Sequence, residues 1–574
     1  MLKEPLRHTI LAFAACALPG IGGGTQASTP PESSLAQSAA TPTPPLTRAD
    51  LEAWLDSFVP TALRKGDIAG AVISIVRNGE VVFEKGYGLA DVARRTPMDA
   101  KATVVRVASV SKTFTATAVM QLVQAGKLDL DRNVNDYLDF KIPAAFGKPI
   151  TLRDLLTHTA GFEETPYKRY SPPLSLREHL LMIPDRIYPP GETPAYSNYG
   201  LELAGYIVQR VSGEPIASYV ERHILQTLGM RHSAFRLRLP AALESFVAKN
   251  YGLASSPEPI SWSIVEEMSP AEAPAVALAT TADDMTHFML AHLQNGRFGD
   301  VQLLDSGTLA RMHAPAVVPI AGLQPIALGF FRSDYKGHRV LGHSGDGEGA
   351  HAELKFLPDE RLGFFLAVNS DGAMNGFMPA SFTLRATLFE SFVDRYFPSL
   401  GTPQEPTTAT AKEHAKLMAG EYAWSRQQRG DFQEAIGLIG RFALGTSVRA
   451  NDDGTIQTPP YLTFEKNWRT QTWREVAPFI WREVGGEARL VTRMREGKVE
   501  ALWTDQMPSF WIGLRVPTLY SAALTIPSLA VSTVALLVSV LAWPVAAFVR
   551  RRRGVKLQLS GVDAKAARLT SIAA

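Results

Sequence analysis

The feature that most constrains this 574-residue chain is a long stretch without charge near its C-terminus. No charged residue occurs from Val516 to Val549, and four arginines, Arg550 to Arg553, follow at once. An apolar stretch of this length predicts a transmembrane helix, over 518–549, and positive residues beside a span favour the cytoplasmic side. A buried core helix is the alternative interpretation, and the arginines argue against it. The folded part of the chain is then expected on the opposite, extracytoplasmic side.

The N-terminus predicts export in the same orientation. A basic start precedes a short apolar run, and Thr25-Gln26-Ala27 offers a small-residue cleavage site, which is typical of a signal peptide over 1–27. The single cysteine, Cys16, lies in this segment, so a lipoprotein signal stays open as an alternative. Residues 28–46 are rich in Ser, Thr, Pro and Ala and predict a disordered linker. We therefore expect a single-pass protein of the inner (cytoplasmic) membrane, with a basic cytoplasmic tail over 550–574.

Two regions of globular character lie between these signals, over 47–398 and 412–515, and a Pro- and Thr-rich linker over 399–411 joins them. In the first region, strand patterns at both ends enclose helical segments, which predicts one sheet built from both ends in the α/β (α+β) class. Two apolar runs around Asn78-Gly79 predict a hairpin. The second region predicts a small antiparallel β-barrel. Its strand patterns are Glu421–Trp424, Tyr461–Phe464, Phe479–Trp481, Arg489–Thr492 and Glu500–Trp503.

The balance of charge excludes one class of partner. The chain carries 58 basic and 56 acidic residues, for a formal net charge of +2. Such a balance gives no electrostatic reason to expect a nucleic-acid partner. With one cysteine in the whole chain, neither a disulfide within the folded part nor a thiolate metal site is expected. We expect a small-molecule or peptide substrate and, through the C-terminal span, the lipid bilayer as partners.

A serine and a lysine three residues apart, Ser109 and Lys112, begin a predicted helix that runs to about Gln124. Residues three apart share a helix face, so these two side chains should lie together while Ser111 points elsewhere. The helix dipole favours negative charge near Ser109, where a backbone N–H can stabilise an oxyanion. A lysine kept partly neutral can activate a serine as a nucleophile. Taken alone, a capping serine followed by an exposed lysine is the simpler explanation.

Two further motifs carry chemistry that complements this pair. In Tyr196-Ser197-Asn198, the tyrosine could relay a proton beside a lysine, and the asparagine could hold an amide or ester group. His343-Ser344-Gly345 ends a strand-like run, where Gly345 allows close backbone approach. The backbone N–H of Asp346 could complete an oxyanion hole with that of Ser109. Taken alone, the first of these motifs is more simply explained by a packed loop tyrosine with Asn198 as a helix cap, and the alternative for the second is a hydrogen-bonded edge histidine.

Together, in this order and across one domain-sized span, the motifs resemble those of the serine β-lactamase and penicillin-binding protein superfamily, nearest its class C and esterase-like branch. Ser109-Val110-Ser111-Lys112 resembles the family's Ser-x-x-Lys, Tyr196-Ser197-Asn198 its Tyr-x-Asn, and His343-Ser344-Gly345 its Lys-Thr-Gly. Extended matches over 155–161 and 279–284 add to the resemblance, which covers about residues 50–397.

The resemblance implies an α/β sheet beside a helical subdomain, with the site between them. Ser109 would attack a carbonyl and form an acyl-enzyme that water releases, while Lys112 and Tyr196 manage the protons. His158 and Thr159 would support the wall of the site. No cofactor and no metal is implied, and the 412–515 region resembles the small β-barrel that follows such domains in many bacterial chains. The substrate-binding residues would be Asn198, His343, Ser344 and Gly345.

One departure from the family pattern bears on the substrate. His343 stands where the family has a lysine that helps to bind the substrate carboxylate, and a histidine is mostly neutral at pH 7. This weakens the case for efficient penicillin hydrolysis. The sequence therefore predicts a serine hydrolase acting on peptides or amides, a D-amino-acid-type peptidase or carboxypeptidase-like enzyme. A carboxylesterase, a weak β-lactamase and a penicillin-binding sensor without turnover stay open as alternatives.

Overall fold

The computed structural model of the chain describes residues 43–164, 174–253, 259–260, 273–318, 320–322, 324–375, 378–398, 406–429, 432–463, 465 and 468–555. The predicted signal peptide, Cys16, most of the predicted linker over 28–46 and the end of the predicted tail lie outside these residues.

Helices are numbered in chain order. They are α1 (Arg48–Gly66), α2 (Ser111–Gln124), α3 (Leu152–Leu156), α4 (Leu176–Leu180), α5 (Asn198–Ser212), α6 (Ile216–Val220), α7 (Ala241–Glu244), α8 (Ala273–Val276), α9 (Ala282–Leu293), α10 (Ser306–His313), α11 (Ala380–Tyr396), α12 (Ala411–Met418), α13 (Phe432–Leu444), α14 (Pro460–Thr463) and α15 (Ala522–Arg552).

Strands are numbered in the same way. Those before residue 398 are β1 (Gly70–Arg77), β2 (Glu80–Asp91), β3 (Thr96–Pro97), β4 (Val105–Arg106), β5 (Ala234–Phe235), β6 (Asn250–Leu253), β7 (Pro259–Ile260), β8 (Leu278–Thr280), β9 (Arg297–Phe298), β10 (Val301–Gln302), β11 (Phe331–Arg332), β12 (Leu341–Gly347), β13 (Ala350–Leu357), β14 (Leu362–Val368), β15 (Ser370–Gly372), β16 (Met374–Asn375) and β17 (Met378–Pro379). Those after residue 406 are β18 (Gly420–Trp424), β19 (Ser447–Ala450), β20 (Ile456–Thr458), β21 (Gln471–Ala477), β22 (Ile480–Glu483), β23 (Arg489–Arg495), β24 (Lys498–Thr504) and β25 (Gly513–Arg515).

A seven-stranded antiparallel sheet forms the centre of the first domain, in the order β11-β12-β13-β14-β1-β2-β3. Strand β1 pairs along its length with β14, so the two ends of the domain meet in one sheet, as the sequence predicts. Asn78 and Gly79 have φ angles of 52° and 92° and close the β1–β2 hairpin. Positive φ at both turn residues matches the right-handed twist of the flanking strands.

Each face of this sheet is covered by a separate layer. Helices α1 and α11 pack on one face, where Leu55 and Phe392 are fully buried. Helices α2, α5 and α9 belong to the layer on the other face, around Phe114 and Phe288. The strands β1, β13 and β14 are buried along nearly their whole length because both faces are covered. The sheet therefore holds β12 rigidly beside the start of α2.

The second domain is a closed eight-stranded barrel, β18 to β25, with Trp473 and Trp481 fully buried in its core. The strand predicted over Tyr461–Phe464 is wrong, because Pro460–Thr463 forms the helical turn α14. A proline lacks the N–H that a ladder needs, and its fixed φ suits the first position of a helix. Helix α13 within this domain was not predicted. The predicted fold class is otherwise confirmed: an α/β domain with a helical subdomain, a small antiparallel barrel and an apolar C-terminal helix.

Helix α15 has 31 residues. Among the residues described, it is the helix long and apolar enough to cross a bilayer, and none of its apolar 18-residue window is buried against the rest of the protein.

Candidate active site

The nucleophile predicted from the sequence lies at a sharp junction between a strand and a helix. Strand β4 pairs with β8, and the chain then turns through a short 3-10 helix, Ala108–Val110, into α2. Ala108 has a φ of +43°, a conformation that costs free energy for a residue with a Cβ. Ser111 fixes the turn from behind, since its hydroxyl donates to the Ala108 carbonyl and accepts from the Leu278 amide. The strained turn presents Ser109 at the start of the helix.

Lys112 lies one turn after Ser109, as the three-residue spacing predicts. Its Nζ is 2.9 Å from Ser109 Oγ and 3.0 Å from the Ala275 carbonyl oxygen. The side chain is fully buried, and this burial lowers the pKa of Lys112 to about 7. A substantial fraction of the amine is therefore neutral near pH 7 and can accept the proton of a serine hydroxyl.

Tyr196 stands directly before the N-cap of α5 and completes a trio with Ser109 and Lys112. Lys112 Nζ lies 4.9 Å from the centre of the Tyr196 ring, and Tyr196 lines the same cavity as Ser109. Burial raises the pKa of Tyr196, so its hydroxyl stays protonated across the physiological range. The three side chains thus lie next to one another, and the protonated phenol is available as a proton donor.

His158 holds Tyr196 in place from both sides. The His158 carbonyl accepts from the Ala195 amide at 2.8 Å, and its Nδ1 accepts from the Ser197 amide at 3.2 Å. The two rings lie 4.3 Å apart. Burial, followed by the charge of Lys112, lowers the pKa of His158 well below its usual value, so the ring is neutral. Thr159 lies alongside, hydrogen-bonded to Thr157. These contacts fit the supporting role expected for His158 and Thr159.

The third motif approaches the nucleophile through its glycine. A Cβ on Gly345 would lie 2.0 Å from the Val107 carbonyl oxygen and 3.1 Å from the Ser109 amide nitrogen. Only glycine allows β12 to contact the turn that carries Ser109. The next residue, Asp346, lines the same cavity as Ser109, together with Asn198. The oxyanion role of the Ser109 and Asp346 amides stays a prediction.

His343 is buried and neutral. Burial, followed by the charge of Lys112, lowers the pKa of His343 to about 3. Its Nδ1 lies 2.6 Å from the Ser344 carbonyl oxygen, which can only accept, so the ring proton resides on Nδ1 and Nε2 is left as an acceptor. Nε2 is buried and has no hydrogen-bond partner within the described part of the chain. The Ser344 hydroxyl donates to Glu353 at 3.1 Å.

The barrel domain forms one wall of the site, which the sequence did not reveal. A cavity of about 1470 Å³ reaches from Ser109 to the barrel. The loop between β24 and β25 brings Phe510 to 4.7 Å from the Tyr196 ring and 5.2 Å from the Phe331 ring, measured between centres. In the sequence, two adjacent aromatic residues in a loop, Phe510 and Trp511, are the one signal that could have indicated this contact.

Arg426, just after β18, is a charged residue of this wall that contacts Tyr196. Its guanidinium lies 5.0 Å from the centre of the Tyr196 ring and forms an ion pair with Glu164 of the first domain. The Tyr188 hydroxyl donates to the Ser425 carbonyl at 3.0 Å, and the Glu164 amide donates to the Gln427 carbonyl at 2.8 Å. These bonds join the two domains beside Tyr196.

Comparisons with known proteins agree with this geometry. The sequence model of the family described as Beta-lactamase matches residues 55–385. Protein flp of Staphylococcus aureus is 29% identical over 247 residues, which are 42% of this chain and 48% of that protein. Esterase EstB of Burkholderia gladioli is 33% identical over 234 residues, which are 38% of this chain and 58% of that protein. The matches therefore span about half of these curated relatives.

A likeness in structure extends further along the chain. The octameric penicillin-binding protein homologue from Pyrococcus abyssi superposes with a TM-score of 0.52 at 21% sequence identity. The superposition covers 80% of this chain and 99% of that one. At this identity the likeness concerns the fold, including the barrel as well as the first domain.

Proposed function

This chain belongs to the beta-lactamase family, a family of serine hydrolases, and on that premise we propose that it hydrolyses an amide or ester through an acyl-enzyme on Ser109. The observation that carries the proposal is the distance of 2.9 Å between Lys112 Nζ and Ser109 Oγ, with the lysine fully buried and its pKa lowered to about 7. A serine hydroxyl beside a partly neutral amine is an activated nucleophile.

In the proposed reaction, the Ser109 proton passes to the Lys112 amine as Oγ attacks the substrate carbonyl. The negative charge on the carbonyl oxygen develops at the start of α2, where the amides of Ser109 and Asp346 would receive it. The Tyr196 hydroxyl would pass a proton to the leaving group and recover it through Lys112. Water then enters from the cavity and hydrolyses the ester on Ser109, with the same groups acting in reverse.

The third motif bears on the substrate. Nε2 of His343 is a neutral acceptor in a position where the family's lysine offers a cation. An acceptor suits a substrate that presents an amide N–H, an amine or a hydroxyl, and leaves a carboxylate without a partner here. We therefore propose a peptide or amide substrate of the D-amino-acid type, in preference to a penicillin-like acid. Asn198, which lines the same cavity, would hold its amide.

A carboxylesterase is the second candidate, because Esterase EstB is 33% identical over 234 residues of this chain. Ser109 and Lys112 would act on an ester in the same way as on the proposed amide, so these two residues do not favour one substrate over the other. A hydroxyl or amine next to the ester would again donate a hydrogen bond to Nε2 of His343.

The enzyme is proposed to be exported and held to a membrane by α15. The helix has 31 residues with a mean hydropathy of 2.1 in its most apolar window, and Arg550, Arg551 and Arg552 lie in its last turn. Positive residues at this end favour the cytoplasmic side, which would leave both domains on the extracytoplasmic side.

Hydrolysis by the full chain in detergent tests the proposal. Wild type should cleave D-alanine p-nitroanilide or p-nitrophenyl butyrate, and Ser109→Ala should reduce the rate by more than about 10³-fold. The ratio of the two substrates separates peptidase from esterase. Nitrocefin should be a poor substrate, since nothing in the third motif pairs with its carboxylate. Ser57→Ala, on the exposed face of α1, is the matched control and should keep its activity. Full activity in Ser109→Ala, or no turnover of any substrate by wild type, would contradict the proposal.

A further inference from the structure

Helix α13 is mostly apolar and leaves large apolar side chains exposed to solvent. Its sequence, Phe432 to Leu444, has only Gln433, Glu434 and Arg441 as polar residues. Ala435, Ile439 and Phe442 follow one another at the spacing of a helix face, and the side chains of Ile439 and Phe442 are 53% and 56% exposed. Apolar side chains gain free energy when they leave water, so an exposed stripe of this kind favours a partner that covers it.

The place of the stripe in the molecule indicates which partner. Helix α13 packs against α15, the apolar helix proposed to cross the membrane. Glu421 of β18 ties both helices to one point of the barrel. Its carboxylate pairs with Arg441 at 2.9 Å and accepts from the backbone N–H of Ala522, the first residue of α15, at 2.7 Å.

The chain just before α15 has the character of a membrane interface. Leu519 and Tyr520 are 75% and 66% exposed beside the first turn of that helix. A tyrosine with an apolar ring and a polar hydroxyl is favoured at the level of the lipid headgroups. Because α13 packs against α15, the exposed stripe on α13 lies on a helix that neighbours the proposed membrane span.

We propose that the stripe formed by Ala435, Ile439 and Phe442 on α13 docks into the boundary between headgroups and acyl chains, as a second membrane contact beside α15. A helix with one apolar face and Glu434 and Arg441 on the other suits this position. The inference rests on the proposed membrane insertion of α15. It goes beyond that insertion, because α15 alone would let the barrel change its orientation relative to the membrane, whereas two contacts fix that orientation.

The docked helix also sets the height of the active site above the bilayer. Glu421 stands near one end of β18 and Arg426 just beyond the other, five residues further along the chain. At about 3.4 Å per residue they are no more than about 17 Å apart. Arg426 contacts the Tyr196 ring, so the wall of the cavity is held close to the headgroups.

Depth-dependent quenching on the full-length chain in vesicles tests this docking. In a Cys16→Ser background, the single-cysteine variants Phe442→Cys, Leu536→Cys and Val92→Cys carry a polarity-sensitive fluorophore. They are studied in phosphatidylcholine vesicles that contain either a shallow or a deep spin-labelled lipid. Leu536 lies in the middle of α15, and Val92 is an exposed residue of the first domain. Turnover of a soluble ester by each variant reports that the fold is intact.

The proposal predicts strong quenching of the fluorophore at 442 by the shallow label, of that at 536 by the deep label, and of that at 92 by neither. Quenching at 536 but none at 442 would overturn the docking and leave the membrane anchor standing. A blue-shifted but unquenched fluorophore at 442 would mean that protein, such as a second copy of the chain, covers the stripe, and would also overturn it. Absence of quenching at both 442 and 536 would overturn the anchor itself and with it the docking.

Discussion

Replacing Gly345 with alanine tests how closely the third motif must approach the nucleophile. The added Cβ would lie 2.0 Å from the Val107 carbonyl oxygen, whereas ordinary contacts begin at 3.4 Å, so the strand or the turn must move by about 1.4 Å. A displacement of about 1 Å at a reacting centre costs about 100-fold in rate. We therefore expect kcat/KM for p-nitrophenyl butyrate to fall by about 100-fold or more. Overpacking of this kind costs about 1–3 kcal/mol, so the chain should still fold.

Gly347→Ala is the matched control, two residues further along the same strand. Its Cβ would be 3.8 Å from both the Ala108 Cβ and the Ala350 carbonyl oxygen, which are ordinary contacts. This variant should keep nearly the wild-type rate and the wild-type melting temperature by circular dichroism. A wild-type rate in Gly345→Ala would refute the argument that β12 must contact the turn carrying Ser109. Equal losses in both variants would show that any bulk on β12 is harmful, and would refute it as well.

Three further predictions concern the protons of the site. Because burial lowers the pKa of Lys112 to about 7 and only the neutral amine accepts a proton, kcat/KM should rise with pH through about 7, and a flat profile from pH 5 to 9 would contradict this role. Arg426→Gln removes a positive charge that lowers the Lys112 pKa and releases Glu164, which raises that pKa. The rise in the pH–rate profile should therefore move to higher pH. A rise at the same or lower pH would argue against the coupling. Tyr196→Phe keeps the ring and loses the hydroxyl, so hydrolysis should slow by about 10²–10⁴-fold with little change in melting temperature, and an unchanged rate would exclude the proton relay.

The local parts of the site could be predicted because they depend on short spacings. Ser109 and Lys112 lie together since residues three apart share a helix face, and Asn78-Gly79 closes a hairpin since both residues tolerate positive φ. The order of the three motifs also allowed the fold class to be predicted. The strained φ of Ala108, in contrast, follows from the packing of β4, β8 and β12 around it, and no local pattern carries that information.

The contacts between the domains could not be predicted, because they join residues far apart in sequence. Phe510 reaches Tyr196 across more than three hundred residues, and the pairing of Arg426 with Glu164 depends on how the barrel packs against the first domain. Within the barrel, the sequence patterns predicted strands and turns and assigned no element to residues 432–444. Helix α13 lies there, and Ala435, Ile439 and Phe442 follow the period of a helix.

The central claim is that Ser109 is the residue that becomes acylated. Intact-mass spectrometry of the full chain after treatment with a fluorophosphonate tests it most directly, with Ser109→Ala and the control Ser57→Ala in parallel. We predict one added probe mass on wild type and on Ser57→Ala, and none on Ser109→Ala. Labelling of Ser109→Ala to the same extent as wild type, or no labelling of wild type, would contradict it.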